Sequence, residues 1–362
     1  MLLVGMLALS CLWCSRRPRD PEAVARTYWQ VGISMSHTGL KKRHALLSAD
    51  SRKVTSLDEY FQHYGATAKG RGVRWVLDSI SLLPEDKTLP TYRRVRLVTH
   101  AKDTLQTPDV FYYTLVNENG LWSVVWEMAL LDQAGDLYQK GMLDEAIALC
   151  DKALALNPYS GAAYDRKAWC YDRQNPSDYE ARQPRKTAIE LNAKKAVALE
   201  PEDPNRYNTL ANAYLLPELQ IECYQKAIRL PTCTPDGKVL YYSNIAATYV
   251  GMSKYSRAIA FADSALAIDS SNAFALMKKA AAEFFLERID SAKVSIDRAL
   301  AVDWPRQLDR GLQFSLQYLA ARVYEKENDY DRALEHVLKA LEMEPGNAGA
   351  QQLYSRIKRK MK

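Results

Sequence analysis

The sequence predicts a two-domain protein in which a small α+β domain precedes an all-α superhelix built of repeated helix pairs. Two observations carry this prediction. The apolar pattern changes from helical spacing to strand-like alternation before residue 127, and small residues then recur at a period of about 34 positions. The composition of 48% hydrophobic and 25% charged residues is that of an ordinary globular chain and excludes a collagen-like or disordered protein.

The first fifteen residues, MLLVGMLALSCLWCS, carry no charge, and the first charged residue is Arg16. As a helix they would extend roughly 22 Å, which is short of the roughly 30 Å hydrocarbon core of a bilayer. Residues 1–15 therefore predict an export signal rather than a membrane span.

Within this segment, Ala8-Leu9-Ser10-Cys11 resembles the lipobox of bacterial lipoproteins. The resemblance implies cleavage before Cys11 and a diacylglycerol anchor on its sulfur, although Ala8 stands where the motif favours Leu, Val or Ile. One alternative is an ordinary signal peptide or short anchor with Cys11 unmodified, and another is an apolar end of a cytosolic protein. Because the residues that follow are basic, we expect a membrane lipoprotein of the cell envelope that faces the periplasm.

Residues 20–127 read as short helices followed by an antiparallel sheet. Val24, Tyr28 and Val31 share one face at helical spacing, and two further helices are predicted at Leu40–Leu47 and Leu57–Tyr64. Four strands with one solvent-facing side follow. Their predicted ranges are Val73–Leu83, Tyr92–Thr99, Val110–Val116 and Leu121–Trp126. The turn Asn-Glu-Asn-Gly between the last two needs a positive φ at Gly120.

This order resembles the nuclear-transport-factor-2-like fold, through a PEAVA opening, an LLS helix end and the hairpin NENGLWSVVW. The resemblance implies a cone in which a curved sheet wraps a long first helix. Enzymes of that fold, such as steroid isomerases, use an Asp base and a Tyr donor. Residues of these types are present at Asp50, Asp58, Tyr92, Tyr112 and Tyr113, but no spacing singles out a pair.

From residue 128 onwards the chain carries helical signals alone, with a small residue at the eighth position of each repeat. These residues are Ala134, Ala168, Ala211, Ala246, Ala280 and Ala321. Small residues there let paired helices approach closely, and the pattern resembles the tetratricopeptide repeat family. The resemblance implies six repeats over residues 128–347 and a capping helix over residues 348–362, with an insertion at 175–184 and a shortened third repeat.

In that family the first helix of each repeat lines a concave groove, chiefly through positions 2, 5, 9 and 12. The resemblance places the candidate partner-binding groove in repeats three to five, at Asn205, Asn208, Asn212, Leu215, Ser243, Asn244, Ala247, Phe274, Met277 and Lys278. Asn212, Asn244 and Lys278 fall on three of the five places of the family's carboxylate clamp, whereas Asn208 and Phe274 break that pattern. A looser peptide groove and a solvated face without a specific ligand are the alternatives.

Other chemistry is weakly supported. None of the five histidines lies in a metal-binding spacing, and no phosphate-binding or nucleophile motif is present, so we expect no cofactor, no metal and no enzymatic activity. His336 is expected at the surface. The pairs Cys150/Cys170 and Cys223/Cys233 could form disulfides or remain buried thiols. The basic tail from Arg356 is expected to be a solvated helix end, and export argues against nucleic acid as a partner.

We therefore interpret the chain as a non-enzymatic scaffold whose groove docks a peptide or partner protein in the cell envelope. Two other hypotheses stay open. One is a ligand-binding or catalytic α+β cone with accessory repeats, and the other is a chaperone-like binder of extended chains.

Overall fold

A computed structural model describes residues 19–33, 36–67, 75–102, 107–174, 179–302 and 310–362. The predicted export signal at residues 1–15, with the candidate lipidation site Cys11, lies outside the described residues. The chain divides into two compact units. The first comprises Met1–Ala213 with Leu230–Thr232, and the second comprises Tyr214–Arg229 with Cys233–Lys362.

The first unit opens with four helices and a sheet. The helices are α1 (Pro21–Ile33), α2 (His37–His44), α3 (Ala49–Val54) and α4 (Leu57–Thr67). The strands are β1 (Trp75–Leu82), β2 (Tyr92–Ala101), β3 (Asp109–Glu118) and β4 (Leu121–Val124). They form one antiparallel sheet in the order β1-β2-β3-β4. The predicted turn between β3 and β4 is confirmed, with φ of 56° at Asn119 and 85° at Gly120.

Helix α1 packs against all four strands of this sheet. Val24 and Tyr28 of α1 are fully buried against Val95 and Leu97 of β2 and Leu115 of β3. Alternate residues of β2 therefore face the helices, as the alternating pattern predicts. The sequence-based prediction of helices followed by a small antiparallel sheet is confirmed.

The opposite side of the sheet is not left to solvent as expected, because the first repeats of the same unit cover part of it. Arg96 of β2 holds the carboxylate of Glu202 with two nitrogens, and the Tyr112 hydroxyl of β3 donates to the same carboxylate at 2.8 Å. Arg94 donates to the carbonyl oxygen of Leu199. The sheet thus has protein contacts on both sides within the first unit, at Arg94, Arg96 and Tyr112 on the side opposite α1.

Helical repeats follow the sheet. In the first unit they are α5 (Met128–Lys140), α6 (Leu143–Leu156), α7 (Gly161–Arg173), α8 (Tyr179–Leu199) and α9 (Pro204–Ala213). In the second unit they are α10 (Pro217–Arg229), α11 (Pro235–Gly251), α12 (Tyr255–Leu266), α13 (Ala273–Phe285), α14 (Ile289–Ala301), α15 (Arg310–Lys326), α16 (Tyr330–Met343) and α17 (Ala348–Lys360). Within each unit, every helix of the repeats packs against the next helix along the chain. Short connections between consecutive helices favour this antiparallel pairing.

The alanines predicted at the eighth repeat position are buried completely. Ala134, Ala168 and Ala211 of the first unit have no exposed surface, and the same holds for Ala246, Ala280 and Ala321 of the second. Several first helices begin at a side-chain cap, for example at Ser160, Asn272 and Asn347, whose side-chain oxygens accept from a backbone N–H three positions on.

Two expectations on single residues are resolved by burial. His336 was expected at the surface, but it is 8% exposed and stacks on Tyr324 with ring centroids 5.3 Å apart. Its Nδ1 is 2.7 Å from the Gln317 side-chain oxygen, so the polar edge of the imidazole is satisfied inside the fold. The four cysteines of the repeats are buried free thiols.

No helix in the described part of the chain combines the length and the apolar composition of a membrane span.

Candidate functional site

The three asparagines predicted for repeat three lie on one face of α9. Asn205 and Asn212 are exposed and Asn208 is half-buried. Their spacing of three and four residues aligns them along the helix axis, as the prediction requires. The amide side chains offer both donors and acceptors along this line.

A tryptophan that the sequence-based prediction missed lies beside α9. Trp169 of α7 is 39% exposed, and its Nε1 donates to the Thr209 hydroxyl of α9 at 2.8 Å. The Arg166 guanidinium carbon is 5.5 Å from the centroid of the indole. Gly135 makes room for it, because a Cβ there would lie 2.9 Å from Arg166 Nη1. We call Trp169, Arg166 and the three asparagines the Trp169 surface, and Thr209 lies buried beneath the indole.

The signal for Trp169 was present in the sequence. It occupies position nine of repeat two, one of the positions that line the concave face in the tetratricopeptide repeat family. The predicted groove comprises repeats three to five and therefore does not include Trp169.

A buried ion network holds α7 and α9 together beneath this surface. Arg206 of α9 donates to Asp165 at 3.0 Å and to Glu200 at 2.6 Å. The second carboxylate oxygen of Asp165 is buried without a hydrogen-bond partner among the described residues. Burial raises the pKa of Asp165 to about 6, although the positive charge of Arg206 acts in the opposite direction.

Two residues predicted for the groove are buried and cannot meet a ligand. Ser243 is 1% exposed and donates to the Val239 carbonyl oxygen at 2.7 Å, and Met277 is 2% exposed within the core. Both occupy position five of their repeats. The same position is buried in repeats one and two, at Leu131 and Asp165. Position five is thus taken up by packing in repeats one, two, four and five, whereas Asn208 at position five of repeat three is half-buried.

The other predicted residues of the second unit keep some exposure. Asn244 and Ala247 of α11 are half-buried, and Leu215 is 73% exposed in the segment before α10. Phe274 and Lys278 of α13 form a pair in which the lysine Nζ is 4.6 Å from the ring centroid. Burial lowers the pKa of Lys278.

A second cation on an aromatic face was also missed. The Arg322 guanidinium carbon of α15 lies 4.5 Å from the Phe284 centroid and 5.3 Å from that of Phe285, at the end of α13. Arg322 stands at position nine of repeat six. This repeat lay beyond those for which a groove was predicted.

The tyrosines considered for catalysis are engaged elsewhere. Tyr113 is hydrogen-bonded to Arg43 at 3.3 Å, and that guanidinium lies 4.1 Å from the centroid of Tyr28. Burial raises the pKa of Tyr113. Asp50 is exposed and pairs with Lys53 at 2.8 Å. Tyr113 and Asp50 thus each contact a basic side chain.

Comparisons with known proteins agree with the helical repeats. The tetratricopeptide repeat family profile TPR_8 matches residues 314–347. No curated protein sequence matches the chain. PilF of Pseudomonas aeruginosa is similar in structure, with a TM-score of 0.51 and 15% identity over 64% of this chain and 97% of that one.

Two other solved structures show weaker similarity. For PilW, a type IV pilus biogenesis factor, the TM-score is 0.49 at 14% identity, over 63% of this chain and 97% of that one. For a tetratricopeptide repeat protein of Parabacteroides merdae it is 0.48 at 12% identity, over 65% and 84%. Taken with the helix pairs, the profile match and the PilF fold show that the chain carries a helical-repeat region of the tetratricopeptide type.

Proposed function

We propose that the protein is a non-enzymatic scaffold that binds an extended segment of a partner protein on the Trp169 surface. The observation that carries the proposal is a partly exposed tryptophan fixed by a hydrogen bond to the neighbouring first helix, beside a row of asparagine amides. Tryptophan and arginine are the residue types that dominate the energy of protein interfaces.

The chemistry of this surface suits an extended polypeptide. The indole is held at Thr209, so little side-chain freedom would be lost when a partner side chain packs on it. An amide can donate to a backbone carbonyl and accept from a backbone N–H, which matches the repeating polar groups of an extended chain.

The protein is further proposed to act in the cell envelope, anchored through a lipid on Cys11 and facing the periplasm. The pattern Ala8-Leu9-Ser10-Cys11 supports this placement, and the α+β domain would then follow the anchor as a cone-like spacer or second docking surface. Replacement of Cys11 by serine should move the protein from the membrane fraction to the soluble fraction. Unchanged membrane association would contradict the anchor.

The binding proposal is tested by in-cell crosslinking and affinity isolation of the full chain and of a Trp169→Ala/Asn208→Ala double variant. Recovery of one dominant envelope partner, reduced at least tenfold in the double variant, is expected, since loss of an aromatic anchor alone costs about 2 kcal/mol or more. Leu191→Ala is the matched control, because Leu191 is a large apolar residue 54% exposed on α8.

Two outcomes would contradict this proposal. A partner recovered equally with the double variant would remove the Trp169 surface from the interaction. Recovery of many unrelated chains instead of one partner would favour the chaperone-like alternative. Circular dichroism and thermal unfolding of the variants verify that they are folded.

A further inference from the structure

Helix α13 presents a stripe of aromatic, cationic and small residues on one face. Phe274, Lys278, Ala281 and Phe285 follow one another at spacings of four, three and four residues, which places them in line along the helix. Phe285 is 44% exposed and the other three are half-buried. We call these four residues, with Arg322 of α15, the α13 stripe.

Each end of the stripe carries a cation over an aromatic ring. Lys278 lies over Phe274, and Arg322 lies over Phe284 and Phe285. Within the described part of the chain, neither cation has a carboxylate within salt-bridge distance. Burial is the cause of the lowered Lys278 pKa, with no acidic neighbour acting against it.

Three acids of α12, α13 and α15 already have partners. Glu283 of α13 accepts from the Ser295 hydroxyl at 2.7 Å, and Asp263 of α12 binds Lys279 at 2.7 Å. Glu325 of α15 is held by two nitrogens of Arg356. The positive charge of the stripe is therefore not neutralised from within the second unit by these groups.

We propose that the α13 stripe binds an acidic segment of a partner protein through two separate carboxylates, one at Lys278 and one at Arg322. The inference rests on the proposed scaffold function and adds the chemistry of a partner to it. Charge complementarity identifies the occupant, because partly desolvated cations gain most from an anionic ligand. Ala281, between the two cations in the stripe, is half-buried and has a small side chain.

The spacing of the two cations favours two carboxylates over one phosphate. The rings under them, Phe274 and Phe284, are ten residues apart in sequence, or about 15 Å along the helix axis. A phosphate site needs cations that converge on one group. An extended segment spans about 15 Å in four to five residues, so two acidic residues at that separation would meet both cations.

The test measures binding of a fluorescein-labelled oligo-glutamate peptide to the full chain at low ionic strength by fluorescence anisotropy. Lys278→Gln/Arg322→Gln is expected to raise the dissociation constant at least tenfold, because it removes both charge-assisted contacts to the peptide carboxylates. Lys279→Gln is the matched control, since it removes one charge from the same helix at a residue paired with Asp263. It should change the constant less than about twofold.

Three other outcomes would overturn the inference, and each would point to a different explanation. Equal binding of an oligo-glutamine peptide would show a polypeptide site without a preference for acid, and the scaffold proposal would stand. Tighter binding of a singly phosphorylated serine peptide would mean that the cations converge. Equal loss in the control variant, or no binding by the unmodified chain, would exclude the stripe as an acid-binding surface, while the crosslinking experiment decides the scaffold function independently.

Discussion

Asp165 shows how one buried acid links stability to pH. The Asp165 side chain is 4% exposed, and its carboxylate accepts a hydrogen bond from Arg206. Burial nevertheless raises the pKa of Asp165 to about 6 from an ordinary value of 3.8. Between these two values the folded chain binds a proton that the unfolded chain has released. The contribution of Asp165 to stability is therefore greatest at low pH and decreases as the pH rises through this window.

We predict that Asp165→Asn flattens the pH dependence of stability between about pH 4 and pH 6. A pKa change of about two units corresponds to at most about 3 kcal/mol of stability. Between pH 4 and pH 6 the free energy of unfolding of the unmodified chain should fall by up to this amount relative to that of the variant. Urea unfolding at a series of pH values measures it. Asp151→Asn, at an exposed residue of α6, is the control, and parallel profiles for Asp165→Asn and the unmodified chain would refute the prediction.

Single residues also show where sequence reasoning succeeds and where it fails. The positive φ at Gly120 and the buried alanines follow from local geometry and repeat spacing, so they could be predicted. The burial of Ser243 and Met277 could not, because it depends on how closely neighbouring first helices pack. Trp169 follows the same repeat spacing, at position nine of repeat two, outside the predicted groove of repeats three to five.

At the scale of elements, the contact between β2 and the repeats is the feature that the sequence did not reveal. Alternation along β2 predicts that one side of the sheet faces away from α1. It does not specify whether water or protein covers that side. Arg96 and Glu202 are 106 positions apart in sequence, and no periodic signal reports a contact at such a separation. This contact also explains why the first compact unit includes the first repeats as well as the sheet.

We predict that Arg96→Ala lowers the free energy of unfolding of the first unit by about 1 to 2 kcal/mol. The two-nitrogen contact to Glu202 is charge-assisted, but the side chains remain 26% and 32% exposed, which reduces its value. The hydrogen bond from Arg96 also lowers the pKa of Glu202, so this contribution should disappear as the pH falls below the ordinary carboxylate range. Denaturant unfolding at pH 7 and at a series of lower pH values, down to about pH 3, measures both effects.

Lys53→Ala is the matched control for this clamp. It breaks an ion pair whose side chains are 75% and 69% exposed, and such a solvated pair contributes little to stability. An equal loss of stability in the two variants would show that the contact with Glu202 gives no more than a surface ion pair.

At the scale of the whole molecule, the helices of the second unit pack on their nearest and next-nearest neighbours. Stability in such an arrangement is a sum of local terms, so a defect at one end should loosen the adjacent helices first. The last helix, α17, covers the end of this unit with Leu353 and Ile357, which are 1% and 0% exposed. Arg356 of α17 also forms an ion pair with Glu325 of α15.

We predict that Leu353→Ala removes hydrogen-exchange protection from α15, α16 and α17 while α11 keeps most of its protection. Truncation of a buried leucine costs about 2 to 5 kcal/mol, and in a chain of neighbour contacts that loss is confined to the helices that pack on the altered one. Leu338→Ala on α16 is the control, because Leu338 is 42% exposed and buries little surface. A uniform loss of protection through α11–α17 would instead show that the second unit unfolds as one cooperative body, since local opening could then no longer be separated from global unfolding.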